Sequence, residues 1–89
     1  MADNNQVNNE QVVTKLKEYI TDAFLYDREE VSLTADFQLV KQGVVDSMGI
    51  FRLITFLEEE FGVTVEPDEV VISNFETIDA ITALVIRAL

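Results

Sequence analysis

Residues Gly43 to Gly62 read "GVVDSMGIFRLITFLEEEFG". From Ser47 onward, apolar Ile50, Leu53, Ile54, Leu57 and Phe61 recur at steps of three and four. At 100° per residue they share one side of a helix, the side that must meet a core. Met48, Arg52, Thr55 and Glu59 fall on the opposite side, with Phe51 on the border. Ser is a favoured N-cap, and Gly62 is well placed to stop the helix, so the pattern predicts an element from Ser47 to about Phe61. One amphipathic helix cannot bury its own stripe. The rest of the chain must supply partners.

Those partners are legible on both sides. Residues 1–8 read as a flexible polar tail. Asn8 or Asn9 then caps a helix over 9 to 25, whose Val12, Val13, Leu16, Ile20, Ala23 and Phe24 repeat at helical spacing. Residues 26 to 46 show no sustained period. The segment is long for an empty connection, so Val31, Leu33, Phe37, Leu39 and Val44 are expected to pin it across the helices, with a one-turn helix near 36 to 41. Gly43 marks a turn. Pro67 suits the first position of a short helix, 67 to 73, and Asp68 and Glu69 would match its dipole. The last helix starts near Thr77 and buries Ile78, Ile81, Leu84, Val85 and Ala88. Phe24, Phe56, Phe61 and Phe75 read as core. The expected fold is all-α: a four-helix bundle of three longer helices and one short one, with a long first loop, built as one domain over residues 9–89.

Composition narrows the chemistry. The chain of 89 residues is 48% hydrophobic and contains neither Cys nor His. Disulfides, thiolate metal sites and thiol nucleophiles are excluded, and so are the commonest general base and a Ser-His-Asp hydrolase. The formal net charge is −11, which opposes binding to nucleic acid or to an anionic membrane surface. Between Arg52 and Arg87 lie eight acids and no base. Acidic surfaces of this kind suit basic partners. The amino terminus lacks the basic and apolar stretches of a signal peptide, and no apolar run is long enough for a bilayer, so a cytoplasmic protein is expected.

Ser47 admits three readings. As a plain N-cap it needs no function. As a nucleophile it needs a base, and the adjacent Asp46 is a poor base for an alcohol. As an attachment point it sits where helix N–H groups and the dipole favour a phosphate-linked group. Glu58, Glu59 and Glu60 point about 100° apart on a helix, which makes them a solvated face or partner patch and not a metal site.

"GVVDSMGI" resembles the phosphopantetheine attachment motif of acyl and peptidyl carrier proteins. The likeness continues through Phe37, Leu39 and Gly43, then "FLEEEFGVTVEPDEV" and "NFETIDAI", in order, over residues 10 to 88. The resemblance implies that Ser47, preceded by Asp46, carries 4′-phosphopantetheine. A phosphopantetheinyl transferase would place it there with coenzyme A and Mg²⁺. The chain would then be a discrete carrier of acyl or aminoacyl thioesters, an expected monomer and not an enzyme. By the same resemblance Met48, Phe51, Thr55, Glu58 and Glu59 lie on the face that docks partner enzymes, and the helical spacing places Arg52 on that partner-binding face with them. Gly49 and Arg52 stand two and five residues after the serine, where fatty-acid-synthesis carriers usually hold acids. The sequence is similar instead to carriers that work with adenylate-forming ligases, including D-alanyl carrier proteins, in a specialised pathway. Two readings remain beside it: a housekeeping carrier of fatty acid synthesis, and a small acidic interaction module with no prosthetic group.

Overall fold

The computed structural model describes residues 8–27 and 31–89. They form three α-helices and no strand: α1 (Asn9–Phe24), α2 (Ser47–Phe61) and α3 (Ile78–Ala88). The regular structure of the described residues is all helical, as the periodicity predicts. The expected tail, residues 1–8, lies outside the described residues except for Asn8.

Asn8 caps α1. Its side chain accepts the Gln11 N–H at 2.9 Å, and the Gln11 side chain accepts the Asn8 N–H at 3.1 Å, a reciprocal arrangement that satisfies two otherwise orphaned donors. Val12, Leu16 and Ile20, each one turn apart, are wholly buried. Ala23 and Val13, at the edges of that stripe, are half-buried. α2 buries Ile50, Leu53 and Leu57. It stops at Gly62, whose left-handed φ of 70° lets its N–H reach the Glu58 carbonyl at 3.0 Å. α3 is capped by Thr77, whose hydroxyl accepts the Ala80 N–H at 3.0 Å, and it buries Ile78, Ile81, Leu84 and Val85. The three stripes belong to one buried cluster, which also includes the fully buried Phe75. Each such side chain contributes on the order of 2 kcal/mol by leaving water.

Two connections differ from the sequence expectation. In place of a short α-helix over 67 to 73, the chain makes two 3-10 turns, Pro67–Glu69 and Ile72–Asn74. Pro67 does open the first of them, and the Glu66 N–H is closed by the Glu69 carboxylate at 3.0 Å. Val70, Val71 and Ile72 follow in a row. They cannot all face one side of a helix, and Val71 and Ile72 stay exposed. Between 31 and 46, the one-turn helix expected near 36 to 41 is a single turn closed by Gln42 N–H on the Gln38 carbonyl at 2.9 Å. Gly43, with a φ of 78°, reverses the chain after it.

This first connection is a strap. Leu39 is fully buried, and Val31, Leu33 and Phe37 pack on the core beside it. The Leu39 N–H donates to the Glu76 carbonyl at 2.7 Å, and the Asp79 N–H donates to the Ala35 carbonyl at 3.0 Å. The Leu39 carbonyl in turn accepts from Val44 and Val45, at 2.9 and 3.1 Å. The chain entering α2 is therefore tied to the chain entering α3.

Candidate functional site

The start of α2 is built by two adjacent residues with different tasks. The N-cap is Asp46, not Ser47 as the sequence suggested. Asp46 has an extended backbone, and its Oδ1 accepts the Gly49 N–H at 2.8 Å. Its carbonyl accepts the Ile50 N–H at 2.9 Å. Ser47 is then the first helical residue, exposed, with its hydroxyl released from capping. Among the described residues, the N–H groups of Ser47 and Met48 have no partner. Unpaired N–H groups and the positive end of the helix dipole together suit an oxyanion linked to the Ser47 oxygen. No step of this kind needs a cavity. The open groove where α1 meets α2, between Lys15, Tyr19, Asp22, Phe56 and Glu60, does not include Ser47.

The remaining predicted face is continuous. Ser47, Met48, Phe51, Arg52, Thr55, Glu58 and Glu59 are all exposed, and on a helix they span an arc of about 140°. Met48 is 70% exposed, and Phe51, expected at the border, is 59% exposed. Two large apolar side chains thus stand in solvent beside the Ser47 hydroxyl. The carboxylates diverge, as their spacing predicts. Glu58 accepts the Val65 N–H at 3.1 Å and holds the segment after α2. Glu60 pairs with Lys15 of α1 at 3.0 Å. Glu59 has no partner among the described residues. The Thr55 hydroxyl donates back to the Phe51 carbonyl at 3.2 Å.

A second cluster was not legible in the sequence. Gly49 is buried, and a Cβ there would lie 2.9 Å from the edge of the Phe24 ring and 3.2 Å from Val45 Cγ1. The Arg52 guanidinium lies over the same ring, with Cζ 4.8 Å from its centroid. Tyr19 meets Phe24 edge-on at 6.1 Å and stacks on Phe56 at 4.1 Å, and its hydroxyl reaches the Arg52 carbonyl at 3.5 Å. So Gly49 and Arg52, the two positions where acids are usual in carriers of fatty acid synthesis, both answer to one side chain of α1.

Residues 14–85 match the family model described as the phosphopantetheine attachment site. The chain belongs to that family. It is 36% identical over 74 residues to a protein of Serratia sp. (strain ATCC 39006) named probable acyl carrier protein PigG, an alignment covering 83% of this chain and 84% of that one. No solved structure matches it. The protein is thus a carrier and not an enzyme, and its prosthetic group is a covalently attached 4′-phosphopantetheine. The group supplies a thiol, which this Cys-free chain lacks. Among the described residues no helix is long and apolar enough to cross a membrane.

Proposed function

We propose that Ser47 carries the 4′-phosphopantetheine, within a single carrier unit of residues 9–89, and that the exposed face of α2 docks the enzymes that load and unload it. The observation that carries this reading is the division of labour at the helix start. Asp46 performs the capping, which leaves the Ser47 hydroxyl exposed beside two unpaired N–H groups. In the modification, the Ser47 oxygen bonds to the phosphorus next to pantetheine, the phosphoanhydride of coenzyme A breaks, and 3′,5′-ADP leaves. The serine proton must be taken by the transferase, because no base of this chain adjoins it. Met48, Phe51, Arg52, Thr55, Glu58 and Glu59 form the docking face. Of these, Glu58 also serves the fold through Val65.

The cargo is an acyl or aminoacyl group in a specialised pathway, delivered by an adenylating ligase or a synthase. Two features support this over housekeeping fatty acid synthesis. The first turn of α2 holds no acid. Position 49 cannot take one without displacing Phe24. The relative named a probable acyl carrier protein is consistent with carriage of acyl groups. The test is intact-mass spectrometry after incubation with coenzyme A, Mg²⁺ and a broad-specificity phosphopantetheinyl transferase. One prosthetic group is expected on the wild-type chain and none on Ser47→Ala. A mass gain that survives Ser47→Ala, or no gain with any of several transferases, overturns the assignment.

A further inference from the structure

Arg52 is anomalous on its own helix. The chain carries seventeen acids and six bases, yet among the described residues Arg52 makes no ion pair. Its guanidinium rests on an aromatic face instead, 4.8 Å from the Phe24 centroid. A cation over an aromatic ring is drawn to its face, and an exposed guanidinium held there still has N–H donors to offer a partner. The side chain is exposed. Its platform is itself fixed: Phe24 abuts Gly49 at a separation that any Cβ would violate, and Tyr19 meets the same ring edge-on. Three residues from two helices therefore hold one cation in place.

The place is close to the modified hydroxyl. Arg52 follows Ser47 by five residues, about 7.5 Å along the helix axis. Exposed Met48 and Phe51 lie between them on the same face. An enzyme that seats its catalytic groups on Ser47 and covers those two side chains also covers Arg52. A planar guanidinium edge takes a carboxylate in a paired, two-bond geometry, whereas a base placed opposite it is repelled. We infer that Arg52 is a specificity-determining residue, and that the transferase docking over Ser47 presents a carboxylate to it. Phe24 and Gly49 are its positioning residues. The inference rests on the assignment of Ser47 and of the α2 face made above.

The test uses the full chain, coenzyme A and the broad-specificity transferase. Initial rates are measured against carrier and against coenzyme A, in low and high salt. Arg52→Glu is expected to raise the KM for the carrier about fivefold or more with kcat within about twofold, and the difference should shrink in high salt. Arg52→Gln, which removes the charge without reversing it, should fall between. Phe24→Leu keeps the charge and most of the apolar volume but loses the aromatic face, and it should raise the KM about twofold to threefold. Far-ultraviolet circular dichroism confirms that each variant is folded. A carrier KM unchanged or lowered in Arg52→Glu or Arg52→Gln overturns the inference, as does an increase that salt does not reduce. A rise in the KM for coenzyme A alone also overturns it, because Arg52 then serves the phosphates of the co-substrate. An unchanged KM in Phe24→Leu overturns the positioning role. If the wild-type chain gains no mass at all, the failure belongs to the assignment of Ser47.

Discussion

Asp46 and Ser47 are both good capping residues, one position apart, and the helix uses the first. Asp46→Ala removes the acceptor for the Gly49 N–H and should cost about 1 kcal/mol in urea unfolding, with Asp46→Asn close to wild type. Ser47→Ala, at a helical position, should be neutral or slightly stabilising by the same measurement, since Ala is the better helix former. Loss of stability in Ser47→Ala comparable to that in Asp46→Ala would return the cap to Ser47. Gly49 tests packing in the same way. Gly→Ala in a helix normally gains about 1 kcal/mol. Here the new methyl meets Phe24 at 2.9 Å and Val45 at 3.2 Å, and overpacking costs about 1–3 kcal/mol. The expected net is a loss of about 1 kcal/mol. In a Phe24→Ala background that loss should become a gain, which a double-mutant cycle reads directly.

The α1–α2 seam is held by an aromatic row at its rim. Tyr19 stacks on Phe56 with rings 13° apart, and Phe56 meets Phe61 edge-on at 6.0 Å. A Tyr19→Ala, Phe56→Ala cycle should give a coupling of about 1 kcal/mol. The neighbouring Lys15–Glu60 pair is exposed and should give less than about 0.5 kcal/mol. The helices themselves were legible, because Val12, Leu16 and Ile20, or Ile50, Leu53 and Leu57, repeat at a spacing that only a helix turns to one side. This row was not. Phe24, Phe56 and Phe61 read as core, but only Phe75 of the four is fully buried. The others line an edge that exists only once α1 has docked. Nothing in the spacing of Gly49 tells that a ring twenty-five residues earlier will rest against it. The choice between Asp46 and Ser47 as cap depends on backbone angles that both residue types accept. The segment 67–74 misled for a different reason: Pro67, Asp68 and Glu69 are sound helix-start chemistry, but the run of β-branched residues after them offers no single apolar side to extend it.

At the scale of the whole molecule, charge works against compactness. With a net charge of −11 over 89 residues, repulsion among carboxylates opposes folding and is screened by salt. The melting temperature should rise when sodium chloride goes from about 10 mM to about 0.5 M, where the Debye length falls from roughly 30 Å to a few Å. A melting temperature that falls instead would mean that ion pairs, not repulsion, dominate. The strap adds a constraint of another kind. The backbone that leads into α2 is anchored through Leu39 to Glu76, and Ala35 to Asp79. Phe75, a fully buried core residue, belongs to the same late segment. During synthesis, α1 and α2 emerge first, but the anchor for the turn before Ser47 does not yet exist. Under the proposed assignment, the support of Ser47 is fastened only once the segment carrying Glu76 and Asp79 has been made, so a chain cut before it presents the serine on an unfastened support.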